Sequence, residues 1–490
     1  MNLCEIIESR ARLQPASAAL AFCDGRRLSY ADLLADANRL AAGLSESGVR
    51  RGQVVALALE DSANFVRLTL ALSRLGAISA PKGIAASQYL VHDGAAGGLA
   101  GQTILAVSDL RARGRDLAVP AMATMQAHEP WRIGTSSGTT GKPKGIVFTV
   151  GGIIAKLDLN AVPAPQAGDL LMLGMGAGLS FAAGFWVRAL AFGATLGLPP
   201  AGLAGQAEWL RLLRATHLVT SPDAALRLLQ ELRQPDGSWA DPPQDLKAVY
   251  LGGARIPARL HEALRVHLCG QLYNHYGASE VGVIAVSDTA MALQDPDCAG
   301  RIAPWVEAQV IDENGTLLAP GGQGLLRVRA ACMAVGYYGG AGQVAGVSPF
   351  RDGWFHTNDI ATITDDGKLY LGGRQDDVIN LGGMKIDPAR IEAAVAQDPA
   401  VLECAALTVQ GLMGHPVLVV AVVANGAIDE ASLKQRCSET LGQRFIPRVI
   451  VQYPKLPRNE AGKVMLGVLR ERIRFVPANA QRSPLPGPPQ

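Results

Sequence analysis

Apolar residues recur every third or fourth position over residues 29–44, where Leu33, Leu34, Ala37, Leu40, Ala41 and Leu44 fall on one face. That spacing predicts an amphipathic helix, with Ser29 as its cap and Gly48 beyond its end. Residues 54–59 form a short apolar run that reads as a strand, and 64–75 return to helical spacing before Gly76 stops them. Residues 208–215 and 223–233 read as helices, and 248–251 as a strand ending in Gly252-Gly253. Strands alternating with helices predict an α/β layer built on a mainly parallel sheet.

From about residue 302 the period shortens. Strands are predicted at 309–312, 325–328, 360–364 and 369–371, with turn signals at Asn314-Gly315 and Asp366-Gly367. This reads as an antiparallel sheet or barrel. Beyond Arg374 come a helix at 388–397, a strand near 417–423 and a helix at 432–441, which make a small α+β domain. The expected organisation is therefore an N-terminal domain of residues 1–375, a C-terminal domain of 376–475 and a disordered proline-rich tail of 476–490. At 490 residues the chain exceeds what one core normally supports.

Composition narrows the function classes. Lys and Arg number 45 against 43 Asp and Glu, and the absence of a basic run argues against a nucleic-acid partner. Seven cysteines without a C-x-x-C pair suggest neither a disulfide framework nor a zinc site, and His261, Glu262 and His267 lack the H-E-x-x-H spacing. Met1-Asn2-Leu3-Cys4-Glu5 has no positive stretch leading into an apolar run, so no signal peptide and a reducing cytoplasm are expected. Residues 170–187 carry no charge over eighteen positions, the lower limit for a membrane helix. Glycines at 174, 176, 178 and 184 weaken such a helix, and Asp169 and Arg188 close both ends. A buried strand, turn and helix around a binding pocket is the favoured reading, with a membrane-associated binding protein as the alternative.

The most distinctive run is Thr135-Ser136-Ser137-Gly138-Thr139-Thr140-Gly141-Lys142-Pro143-Lys144-Gly145. Its glycines let backbone approach an anion, its hydroxyls and N–H groups donate hydrogen bonds, and Lys142 and Lys144 add charge. Such a loop is suited to a polyphosphate, with ATP the expected anion. A Walker A loop is excluded, because Ser136 stands where its first glycine belongs and Pro143 replaces the magnesium-binding hydroxyl. Gly134-Thr135-Ser136-Ser137-Gly138 does satisfy the G-x-S-x-G elbow of serine hydrolases, which keeps a hydrolase on Ser136 as a competing reading. That elbow needs a strand before it and a helix after it, whereas Pro130-Trp131-Arg132 reads as a short, broken stretch and Pro143 would interrupt the helix.

Four further motifs follow the loop in order: Tyr276-Gly277-Ala278-Ser279-Glu280, Gly353-Trp354-Phe355-His356-Thr357-Asn358-Asp359, Gly373-Arg374-Gln375-Asp376-Asp377 and Pro457-Arg458-Asn459-Glu460-Ala461-Gly462-Lys463. Together with the loop they resemble the ANL superfamily of acyl-CoA synthetases, peptide-synthetase adenylation domains and luciferases. The resemblance covers nearly the whole chain. It implies a large N-terminal domain of two α/β subdomains plus a small β-barrel, and a smaller mobile α+β C-terminal domain. It also implies ATP and Mg²⁺, a carboxylic acid activated to acyl-AMP, and CoA or a carrier-protein phosphopantetheine as thiol acceptor. An amine acceptor, giving an amide, is the alternative within the family.

Site residues follow from the same resemblance. Lys463 resembles the catalytic lysine that bridges carboxylate and α-phosphate, with Thr139 of the loop and Ser279 (usually threonine) as further catalytic positions. Glu280 resembles the Mg²⁺ ligand, a carboxylate being the donor a hard cation prefers. The implied nucleotide site comprises Thr135, Ser136, Ser137, Gly138, Thr140, Lys144, Ala254, Asn274, Tyr276, Gly277, Asp359 and Arg374. In it Asp359 and Arg374 hold the ribose, and Tyr276 offers a ring to adenine. Asp376 matches the hinge, and Gly382-Gly383 would line a pantetheine tunnel. Departures from the family pattern are Asn358 for glycine, Asn380 for lysine, Leu325 for glutamate and Leu466 for arginine, and residues 80–135 look shortened.

The implied acyl pocket is made of Ser180, Phe181, Gly184, Gly253 and Ala278. Residues 179–186 contain neither the aspartate that pairs with an α-ammonium group in amino-acid-activating relatives nor the histidine of many acyl-CoA synthetases. An α-amino acid is disfavoured, because a buried ammonium without a partner costs several kcal/mol. The small, apolar character of 172–184 suits an aryl or medium-length acyl chain.

Overall fold

The computed structural model describes residues 2–83, 87–94, 98, 101–136, 144–158, 162–198, 205–340, 348–375, 379–381, 384–411, 416–459 and 462–473. The expectations for Ser137, Gly138, Thr139, Thr140, Asp376, Gly382, Gly383 and the tail lie outside these residues.

The predicted α/β layer is a seven-stranded sheet. Val54–Ala58, Ile78–Pro81, Tyr89–His92 and Thr103–Ala106 pair in parallel. The helix Tyr30–Glu46 packs on the helix Ser62–Leu75 beside them. Ser29 accepts from the Asp32 N–H while the Asp32 carboxylate accepts from Ser29, a capping box that fixes the start. The other edge of the sheet corrects the sequence reading around Pro130. Pro130–Ser136 is a continuous strand, parallel to Ile78–Pro81 on one side and antiparallel to Lys144–Thr149 on the other. Proline is harmless as the first residue of a strand, and Trp131, Arg132 and Ile133 are all buried. The element after the loop is thus a second strand, so the strand-to-helix context of a serine-hydrolase elbow is missing.

The second sheet has fourteen strands. Ala18–Phe22, Thr195–Leu198, Leu170–Leu173, His217–Thr220, Ala248–Gly252 and Leu272–Ala278 run parallel in that spatial order. Leu272–Ala278 then pairs antiparallel with Gly282–Asp288, and the sheet continues through Cys298–Ile302, Lys368–Arg374, Trp354–Ile363, Gln323–Arg329 and Glu307–Ile311. These antiparallel strands enclose their own core around Val281, Ile284, Leu326, Val328 and Phe355. Residues 170–187 resolve into the fully buried strand Leu170–Leu173 and the helix Ser180–Ala191. No helix among the described residues is long and apolar enough to cross a membrane.

One core cluster joins the two sheets, and its largest member, Trp186, is completely buried with its indole N–H on the Ala177 carbonyl at 3.1 Å. Tyr30, also buried, donates to the carbonyls of Leu190 and Ala194 at 2.9 and 2.8 Å, pinning a first-layer helix to the second. The C-terminal unit has Val401–Gln410, Pro416–Ala424 and Val449–Gln452 as a three-stranded sheet, with helices Pro388–Val395, Glu430–Leu441 and Leu466–Ile473. Leu466 opens the last of these and packs with the apolar face that holds Leu407, Val419 and Leu469.

At Gly43 the helix Tyr30–Glu46 touches the backbone of the helix Val107–Arg113, and a Cβ there would overlap the Leu110 carbonyl. Gly43→Ala is expected to destabilise the first layer by about 1–3 kcal/mol, the range for overpacking. Thermal unfolding followed by circular dichroism checks it; an unchanged transition would mean the two helices do not approach so closely.

Candidate functional site

Asp359 lies at the bulged end of the pairing between Trp354–Ile363 and Lys368–Arg374, directly opposite Arg374. Its carboxylate is 3.5 Å from Arg374 Nη1 and accepts from the Tyr276 hydroxyl. Thr357 sets the backbone. Its Oγ1 accepts from the Asp359 N–H at 3.0 Å and donates to the Leu326 carbonyl at 3.0 Å, while the Thr357 carbonyl accepts from Arg374 at 3.4 Å. Burial pushes the Asp359 carboxyl above the usual carboxylate range, opposed by Tyr276, Arg374 and Lys463. Burial, reinforced by Asp359, pushes the Tyr276 phenol well up, so it remains a donor.

Asn358 has φ 62°, in the left-handed region. The glycine of the family pattern adopts that conformation freely, and asparagine is among the few side chains that tolerate it. The departure therefore keeps the local backbone.

Lys463 enters from the C-terminal unit. Asn459 holds its turn, with Asn459 Oδ1 accepting from the Lys463 N–H at 3.0 Å and the Lys463 carbonyl accepting from Asn459 at 3.0 Å. The turn rests on the start of the helix Pro222–Leu232: a Cβ on Gly462 would be 3.3 Å from Ser221 Oγ. Arg458 secures it, reaching Asp223 Oδ1 at 3.3 Å and Glu403 Oε2 at 2.8 Å. In this arrangement Lys463 is close enough for its charge to act on Asp359.

Glu280 is buried at 8% exposure, with Oε1 accepting from the Tyr337 hydroxyl at 2.9 Å. Its other oxygen has no partner among the described residues. The Lys144 ammonium stands 5.6 Å from the Tyr337 ring centre, linking the loop's far end to the same place. Close approach shapes the turn before Glu280, since a Cβ on Gly277 would overlap the Gly282 carbonyl. Ser279 is half-buried beside it. No cluster of three or more His, Cys, Asp or Glu occurs among the described residues. One carboxylate with a free oxygen fits Mg²⁺, which takes one or two protein carboxylates and completes its shell with phosphates and water.

A small cavity of about 10 Å³, room for one water, opens between Pro130–Ser136 and the helix Ser180–Ala191. Ser180 and Gly184 line it, together with Trp131, Arg132, Phe148 and Lys156, none of which the sequence reading placed there. Two cations therefore join a wall expected to be small and apolar. Gly253, Ala278 and Phe181 are not among the lining residues. Phe181 instead covers Gly252 and meets His275 edge-on at 5.5 Å. A histidine does reach this helix, but from the strand Leu272–Ala278; burial pushes its pKa down to about 4, so it is neutral at neutral pH. Gly253 and Ala254 are exposed at the end of Ala248–Gly252, and Asn274 has a buried Oδ1 without a partner among the described residues.

The sequence pattern described as "AMP-binding enzyme" matches residues 7–92 and 94–338, and "AMP-binding enzyme C-terminal domain" matches 390–463. The chain belongs to the AMP-binding enzyme family. It is an AMP-forming ligase of the ANL superfamily. It is 29% identical to the 2-succinylbenzoate–CoA ligase of Geobacillus kaustophilus, over 97% of this chain and 98% of that one. It is also 29% identical to the indoleacetate–CoA ligase of Aromatoleum aromaticum, over 96% and 98%. The same fold is seen in the anthranilate CoA ligase AuaEII in complex with anthranoyl-AMP, with TM-score 0.84, 21% identity and 97% and 98% coverage. It is seen again in the amide bond synthetase McbA from Marinactinospora thermotolerans, with TM-score 0.82, 22% identity and 97% and 100% coverage.

Asn358→Gly is expected to preserve AMP affinity, whereas Asn358→Val should weaken it about tenfold or more, since strain of this kind costs on the order of 1–3 kcal/mol. Calorimetric titration of AMP checks both. Equal affinities for the two variants would show that the left-handed turn does not position Asp359.

Proposed function

We propose that this enzyme activates an aryl or medium-chain carboxylic acid with ATP and passes the acyl group from acyl-AMP to the thiol of CoA. The observation that carries the reading is the half-buried Asp359 between Tyr276 and Arg374, within the field of Lys463. An acceptor pair held this way suits the vicinal hydroxyls of a ribose, with Arg374 donating to the same sugar. The cytoplasm is the proposed compartment, supported by seven free cysteines.

In the first half-reaction a carboxylate oxygen attacks the α-phosphorus and the bond to pyrophosphate breaks. Two anions meet there, so fixed positive charge and oriented donors lower the barrier most. Lys463 supplies that charge, Ser279 and Thr139 donate to the α-phosphate, and the loop from Thr135 to Lys144 holds the other phosphates. Glu280 would hold Mg²⁺, which neutralises the departing pyrophosphate. Tyr276 packs against adenine beside Asn274 and Ala254. In the second half-reaction the thiol attacks the acyl carbon and AMP leaves. We assign the hinge between residues 1–375 and 376–475 to Asp376, and the thiol's path to Gly382-Gly383. The Arg458–Asp223 contact must break when the C-terminal unit turns. A carrier-protein phosphopantetheine and an amine are the other acceptors to be compared.

Carboxylate-dependent exchange of labelled pyrophosphate into ATP tests the reading; no exchange with any acid would refute it. Lys463→Ala should lower exchange by roughly a hundredfold or more yet spare thioester formation from supplied acyl-AMP. Equal loss in both would remove Lys463 from its role. Arg458→Ala should slow exchange more than transfer, because it loosens only the pose that brings Lys463 to the nucleotide. Comparison of the two half-reactions decides, and an unchanged ratio would count against this pose.

A further inference from the structure

Two cations in the acyl cavity have no acid beside them. Arg132, 5% exposed, donates to the Gly178 carbonyl, and its guanidinium stands 5.3 Å from the Phe65 ring centre. Lys156 follows the helix Val150–Ala155, with its ammonium 4.8 Å from the Phe148 ring centre. Neither makes an ion pair among the described residues, whereas Arg67, about as buried as Arg132, is 3.0 Å from Asp36; Lys156 is half-buried. The third polar group on this wall is the Trp131 indole N–H, buried and also without a partner among those residues.

The physical environment agrees with the geometry. Burial lowers the Arg132 guanidinium to about 10 and lowers the Lys156 ammonium, which Arg132 depresses further. Only the Cys332 thiol acts the other way on Lys156, and no carboxylate figures for either cation. Glu280 is close in the chain to Gly282, whose Cβ position is 3.9 Å from the Lys156 Cε, yet its carboxylate is held by Tyr337. Holding a cation away from water without an anion is unfavourable, so a partner arriving with the substrate would relieve a standing penalty.

The carboxylate that is adenylated cannot be that partner, since it must meet the α-phosphate and Lys463. We propose that the acid carries a second anionic group, a distal carboxylate or an equivalent acid, that docks between Arg132 and Lys156. This rests on the adenylating reading above. The aromatic walls of Trp131 and Phe148 favour an aromatic or short aliphatic spacer between the two acids. Ser180 and the Trp131 N–H add neutral donors to the same anion.

Pyrophosphate exchange with matched acids tests it: benzoate against its three benzene dicarboxylates, hexanoate against adipate, butyrate against succinate. At least one diacid should exceed its monoacid by roughly tenfold or more in kcat/KM. Lys156→Met should abolish that advantage, bringing the diacid to the level of its monoacid in the same variant, and Lys156→Arg should restore part of it. Monoacids equal to or better than diacids in every pair would overturn the proposal, as would a diacid preference that survives Lys156→Met. The wild-type comparison decides even if the methionine variant folds poorly. Exchange with no acid of either kind would refute the adenylating reading itself, and the docking site with it.

Discussion

Burying a carboxylate is tolerable only when donors converge on it, and Asp359 is where this chain meets that constraint. Its donors come from separate parts of the large sheet: Tyr276 from the last parallel strand and Arg374 from the antiparallel half. The third positive influence, Lys463, belongs to the C-terminal unit. The contacts with Tyr276 and Arg374 form only if the parallel and antiparallel halves are joined in register, and the docked small unit adds the charge of Lys463. Thr357, bound to Leu326, and the left-handed Asn358 spend local backbone freedom to aim the same side chain. Much of the architecture is thereby coupled to one site.

That coupling explains what could be read from the sequence. Helical spacing over residues 29–44 and the Ser29 cap are local signals, and the helix forms as Tyr30–Glu46. The short antiparallel strands after residue 302 are equally local, carried by alternation and by turns such as Asn314-Gly315. Residues of the ordered motifs converge in space, because Tyr276, Asp359 and Arg374 lie within bonding distance despite their separation along the chain. Tyr337, Arg132 and Lys156 escaped notice for the opposite reason. Each acts through a long-range contact, and nothing in its neighbours along the chain distinguishes it from an ordinary strand or turn residue. The stretch from Pro130 misled through its proline, which sits at a strand start where the missing N–H does no harm.

Histidine shows how a local reading can be right and incomplete. Residues 179–186 contain none, yet His275 crosses from the neighbouring strand to meet Phe181 and Phe185, each at 5.5 Å. Its Nδ1 is 3.0 Å from the Tyr273 carbonyl, and burial keeps it uncharged near neutral pH. It adds an aromatic surface to the acyl side without adding a cation. The positive charge beside the cavity comes instead from Arg132 on the strand Pro130–Ser136 and from Lys156 after the helix Val150–Ala155.

The balance of charge explains why the whole chain gives no hint of this. A net charge of +2 spread over 490 residues is nearly neutral, and much of it is cancelled in pairs such as Arg214 with Asp245 and Arg329 with Glu307. Exposed pairs of this kind are screened by water and contribute little. Glu280 and Arg132 are buried, where the dielectric is low and the surroundings are fixed, and Asp359 and Lys156 are half-buried. Asp359 is balanced by donors and Glu280 by one hydroxyl and an open oxygen, while Arg132 and Lys156 have no anion among the described residues. An enzyme that must bring a carboxylate against a polyphosphate needs surplus positive potential on its own side of the reaction. In this fold Lys463, carried by the C-terminal unit, is the cation near Asp359, while Arg132 and Lys156 are set apart in the wall of the cavity.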